Sequence, residues 1–135
     1  VERVLRPALD NALSQINGPA VLHHCGATFL AHLDILAGLP AAVGFALSYE
    51  EGLSKARQVL GAGPVLLSGP HGPSLEEMDA NQVNSICQSI LKERDEEKDP
   101  HFILVTLGAD VPYKTPPENL HAIREALAKV GWNGR

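Results

Sequence analysis

The sequence predicts an α/β protein built on a parallel sheet. Four short apolar runs rich in Val, Ile and Leu have the length and composition of buried strands, and a longer segment of helical character follows each. At 135 residues the chain is long enough for one domain with a real core. Strands that alternate with helices need crossover connections, which are right-handed and leave the strands parallel.

An opening helix is expected over about residues 2–16. Strands follow near residues 20–25, 41–47, 64–68 and 102–107. Three stretches read as capping boxes, in which a hydroxyl and a carboxylate satisfy orphan amides reciprocally: Ser48-Tyr49-Glu50-Glu51, Ser74-Leu75-Glu76-Glu77 and Thr115-Pro116-Pro117-Glu118. Pro116 suits a first helical position, where its missing N–H costs nothing. In the longest helix Val83, Ile86, Cys87, Ile90 and Leu91 form one apolar stripe. The charge run from Glu93 to Asp99 at its end is read as a solvated helix terminus. No low-complexity linker divides residues 1–135, so a single domain is expected.

Composition narrows the function classes. Hydrophobic residues are 44%, charged residues 20% and the formal net charge is −5. An acidic balance without a Lys/Arg cluster argues against nucleic acid and against an anionic membrane surface. Two cysteines cannot make a disulfide framework, which sets a reducing, cytoplasmic location as the expectation. No apolar run is long enough to span a bilayer, and no basic-then-apolar leader opens the chain at Val1.

The densest chemistry lies in residues 21–28, Val-Leu-His-His-Cys-Gly-Ala-Thr, at the end of the first strand. In parallel α/β proteins ligands gather at the carboxyl ends of strands. Side chains alternate along a strand, which puts His23 and Cys25 on one face and His24 on the other. An imidazole and a thiolate at i, i+2 are good geometry for two ligands of one Zn²⁺. On spacing alone the alternative stands beside it: a core histidine and a small buried cysteine. Cys87 lies on an apolar stripe and reads as core, His32 and His121 fall within helices, and His101 opens a strand at its amino end, away from the active face.

Further landmarks follow in order. They are Leu22-His23-His24-Cys25-Gly26, Ala56 to Gly61, Gly69-Pro70-His71-Gly72-Pro73-Ser74-Leu75, Phe102 to Pro112, and Thr115-Pro116-Pro117-Glu118-Asn119. From about Asn17 to Gly131 this pattern resembles the carboxyl-terminal half of the uroporphyrinogen decarboxylase superfamily. In motif it is closest to the cobalamin-dependent (methylcobamide:thiol) zinc methyltransferases. The resemblance implies four β/α units, half of a TIM (β/α)8 barrel. It implies zinc on His23 and Cys25, a corrinoid as the substrate-side cofactor, and a small-molecule thiol or a corrinoid protein as partner. Zinc there would strip the thiol proton and keep the sulfur nucleophilic. Gly26, Gly69, Gly108, Ala109 and Asp110 would line the pocket.

The departures from that pattern are specific. The third zinc ligand of those methyltransferases is a cysteine where Ala109 stands here, and decarboxylases place a histidine there. His71 is the nearest substitute that the sequence offers for a third donor, because catalytic zinc normally has three protein ligands. Phe45 stands where relatives often place an acid. A whole barrel takes ~250 residues or more, so half a barrel is expected either to pair with a second copy as a homodimer or to lack an amino-terminal half. Three readings stay open: a zinc- and corrinoid-dependent methyltransferase half, a tetrapyrrole decarboxylase relative, and a non-catalytic half-barrel binding module.

Overall fold

The computed structural model describes residues 2–23, 28–108 and 110–131. Its elements run α1 (Glu2–Ser14), β1 (Ala20–His23), α2 (Leu33–Leu36), β2 (Ala42–Ala46), α3 (Leu53–Leu60), β3 (Val65–Ser68), α4 (Ala80–Glu96), β4 (Phe102–Leu104) and α5 (Pro117–Val130). The four strands form one sheet in the order β1-β2-β3-β4, and every pairing is parallel. This is the α/β architecture expected from the alternation of strands and helices. The elements are shorter than expected at their ends. α1 stops at Ser14 and β4 at Leu104, and Ala41, with φ 60, marks the turn into β2.

Pairing fixes which residues share a face. Leu22 pairs with Phe45, Phe45 with Leu66, and Leu66 with Phe102. These four face the helices and join the core with Leu33, Leu53, Leu75, Val83, Cys87 and Leu91. The Phe29 and Phe45 rings meet at 6.2 Å. Phe45 therefore belongs to the core and not to a pocket: strand alternation turns it away from the face that carries His23. The opposite face carries Val21, His23, Ala46, Leu67 and Ile103. No described residue of the chain lays a helix over it, and Val21 and Ile103 are 51% and 49% exposed.

The caps differ from expectation. Ser48 accepts from Glu50 N at 3.3 Å, but it caps a single 3-10 turn, Tyr49–Glu51. Glu51 turns instead to the Leu30 amide at 2.6 Å. Ser74 lies inside another 3-10 segment, Gly72–Glu76. Thr115 caps nothing: Pro116 is the N-cap of α5 and the Thr115 hydroxyl is buried without a partner. The reciprocal box that does form is Asp79 with Gln82 at the start of α4, each bond 2.9 Å. Here a carboxylate and an amide do what a hydroxyl and a carboxylate do in the three expected boxes.

The charge run at the end of α4 is not wholly solvated. Arg94 is fully buried and faces Glu93, Glu97 and Asp99. Asp99 also accepts from Arg57 at 2.8 Å and 2.9 Å and from the His101 amide at 3.1 Å. Arg57 in turn donates to the Gly61 and Pro64 carbonyls, each at 2.8 Å. This network ties α3 and α4 to the amino ends of β3 and β4, the end opposite the candidate site.

Candidate functional site

At the carboxyl end of the sheet, β3 and β4 stay zipped beyond their formal ends. The offset between partners is 36 residues from Leu66↔Phe102 (102 − 66) to the bridge His71↔Leu107 (107 − 71). Val105 N donates to Ser68 O at 3.0 Å, Leu107 N to Pro70 O at 2.9 Å, and Gly72 N to Leu107 O at 2.5 Å. In this ladder residue 70 would donate to the Val105 carbonyl, but proline has no N–H. That carbonyl closes instead on Gly69, where an added Cβ would stand 1.8 Å from its oxygen.

Two further glycines complete the seam. A Cβ on Gly72 would lie 2.4 Å from the Asp110 carbonyl oxygen and 3.0 Å from that of Leu107. Gly108 has φ +109, a region that favours glycine, and a Cβ there would lie 3.6 Å from His71 Nε2 and 3.0 Å from Pro73 Cδ. The structure thus brings His71, Gly72, Gly108 and the Asp110 backbone together. The sequence showed the Gly-Pro-His-Gly-Pro motif but not Gly72 as a contact residue, because the atom it accommodates lies 38 positions away (110 − 72).

His23 ends β1 on the open face, exposed, and pairs across the sheet with Ala46. His71 and Asp110 are also exposed, whereas Gly69 is buried and Gly108 half-buried. His71 lies two strands from β1, four residues past Leu67, which stands level with His23. The structure does not cluster these groups: among the described residues no three His, Cys, Asp or Glu side chains stand close enough to hold one metal ion. Cys25, Gly26 and Ala109, with His24, lie outside the described residues.

Zinc fits the His23–Cys25 donor pair in kind, imidazole and thiolate, and is one donor short in number. The other cysteine offers no substitute. Cys87 is buried on α4, and burial pushes its thiol up from 9.0 to about 11. No described helix is long and apolar enough to cross a membrane.

The family model described as Uroporphyrinogen decarboxylase (URO-D) matches residues 2–130, nearly the whole chain. No curated protein matches the sequence.

Proposed function

From the premise that the chain belongs to the uroporphyrinogen decarboxylase family, we propose that it carries the thiol-activating portion of a methyltransferase-like site, with His23 and Cys25 as metal donors. The observation that carries this reading is the place of His23. It sits at the carboxyl end of a parallel strand, on the face that no described helix covers, and Cys25 follows it two positions later in the sequence.

Zinc, when bound, supplies Lewis acidity that keeps a thiol deprotonated near neutral pH. The chain's own residues do the rest. His23 would present an imidazole lone pair and Cys25 a thiolate, while Gly69 and Gly72 let the β3–β4 seam close where a Cβ would meet backbone oxygens. The reaction so served is methyl transfer from a methylated corrinoid to a small-molecule thiol. A methylated corrinoid would supply the methyl group and keep the bonding electron pair, and a thiol held by metal on His23 and Cys25 would accept the methyl and lose its proton to solvent.

The test is zinc content. The purified chain is expected to hold less than one zinc per chain, to take up more from added zinc, and to lose it in Cys25→Ser. Because ligand thiolate must be deprotonated, occupancy should fall as pH drops. Metal content that is nil at neutral pH in excess zinc overturns the reading. The name of the matching family favours tetrapyrrole decarboxylation as the second reading; it predicts retained tetrapyrrole absorbance with no dependence on zinc or on Cys25.

A further inference from the structure

We propose that Asn17 is a spontaneous modification site at the entrance to β1, where the Gly18 amide converts the asparagine side chain to isoaspartate; nothing in this depends on a metal. The first ground is sequence. Among the asparagines of the described residues, at 11, 17, 81, 84 and 119, only Asn17 precedes a glycine, which has no side chain to hinder attack by its own nitrogen. The second ground is freedom. Asn17, Gly18 and Pro19 are all exposed between α1 and β1. Gly18 has φ +153, a conformation that residues with side chains rarely adopt, and nothing lies within 4 Å of the place its Cβ would take. Among the described residues no hydrogen bond holds the Gly18 amide or the Asn17 carboxamide. The amides on either side are held: Ile16 N donates to Leu13 O at 3.1 Å and Ala20 N to Ala41 O at 2.7 Å.

The third ground is contrast. Asn11 lies in α1, Asn81 and Asn84 in α4, and Asn119 in α5, where helical backbone restrains the following amide. Asn84 and Asn119 are also buried and donate to the Ala122 and Leu75 carbonyls at 2.9 Å and 2.8 Å. At residue 17 the chemistry needs only water. The Gly18 nitrogen loses its proton and attacks Asn17 Cγ, an N–C bond forms, the bond from Cγ to the carboxamide nitrogen breaks, and ammonia leaves. Water then opens the cyclic imide at either carbonyl. One opening gives aspartate, and the other gives isoaspartate, whose backbone runs through Cβ and is longer by that atom. Both products add a negative charge. The altered backbone lies three residues (20 − 17) before Ala20, whose amide starts the β1–β2 contact on the Ala41 carbonyl.

The test is ageing of the purified chain at mildly alkaline pH. Peptide mass spectrometry separates residue 17 from Asn133, whose own Asn-Gly pair lies outside the described residues. Methyl uptake catalysed by an isoaspartyl carboxyl methyltransferase counts the isoaspartate. Residue 17 should convert within about tenfold of the rate in a free peptide of the same sequence, and at least about tenfold faster than the helical asparagines, which react only through local opening. The rate should rise with pH, because the attacking nitrogen must lose its proton. Asn17→Gln should remove the signal at residue 17, since the longer side chain closes its ring far more slowly. In the aged chain the Ala20 amide should exchange hydrogen faster than in the fresh one, and ageing Asn17→Gln should leave it unchanged. Conversion at residue 17 as slow as at the helical asparagines overturns the proposal. Conversion with unaltered exchange at Ala20 overturns its reach into β1.

Discussion

A Cβ on residue 69 would sit 1.8 Å from the Val105 carbonyl oxygen, a separation that no rotamer change relieves because the obstacle is backbone. Gly69→Ala must therefore part β3 from β4 at the seam that holds His71 and Gly108. A thermal or urea melt should show a loss of about 3 kcal/mol. Gly63→Ala is the control. Nothing lies within 4 Å of its Cβ position and its backbone is ordinary, so it should stay within about 0.5 kcal/mol of the natural protein. Cys87 gives a second prediction at this scale. With its thiol pushed up to about 11 from 9.0, it stays neutral in the folded chain while the unfolded thiol ionises. The folded state then binds more protons than the unfolded one between those values, so stability falls as pH rises from about 9 to about 11. Cys87→Ala should flatten that part of the pH–stability curve, and an unaltered slope would show that other groups set it. Sequence alone marked Cys87 as core from the stripe it shares with Val83 and Leu91. It could not show why residue 69 is glycine, because the cause is a carbonyl 36 residues away (105 − 69).

Helix starts were only partly legible because a capping motif states what could pair and not what does. Ser48 and Glu51 have box spacing, yet Glu51 is drawn off to the Leu30 amide, a partner 21 positions away that no local pattern shows. Thr115 has the same spacing with Glu118, but two prolines follow it and its hydroxyl is left buried and unpaired. Strand polarity, by contrast, was legible, since it follows from alternation and crossover handedness that tertiary detail does not disturb. The caps that form and fail can be told apart by mutation. Asp79→Ala removes an acceptor from the Gln82 amide and should cost about 1 kcal/mol in a melt. Thr115→Val replaces an unsatisfied hydroxyl with a methyl of similar shape and should be neutral or stabilising. A loss as large as that of Asp79→Ala would show that Thr115 has a partner after all.

Across the described residues, helices cover one face of the sheet and none covers the other. Leu22, Phe45, Leu66 and Phe102 are packed under helices, while Val21 and Ile103 stand about half exposed on the other side, beside Leu67 and Ala46. Parallel sheets in soluble proteins are covered on both faces, because water penalises apolar area and their crossovers bring helices to each side or close the sheet into a barrel. β1 and β4 are the edge strands of the described sheet. The half-barrel pattern was visible in the sequence as four strand–helix units. Which strand positions face outward was not, and Phe45 shows why: its face depends on pairing with Leu22 and Leu66. The isolated 135-residue chain is therefore expected to self-associate, most simply as a twofold dimer, since that is the commonest closed symmetry. Light scattering at micromolar concentration should give a mass above that of one chain. Val21→Lys with Ile103→Lys should shift it toward the monomer, because two charges on the bare face resist burial. These side chains leave the helical core untouched, so the far-ultraviolet circular dichroism should not change. A monodisperse monomer of the natural sequence would show that the bare face tolerates water as it stands, and the case for association through it would end there.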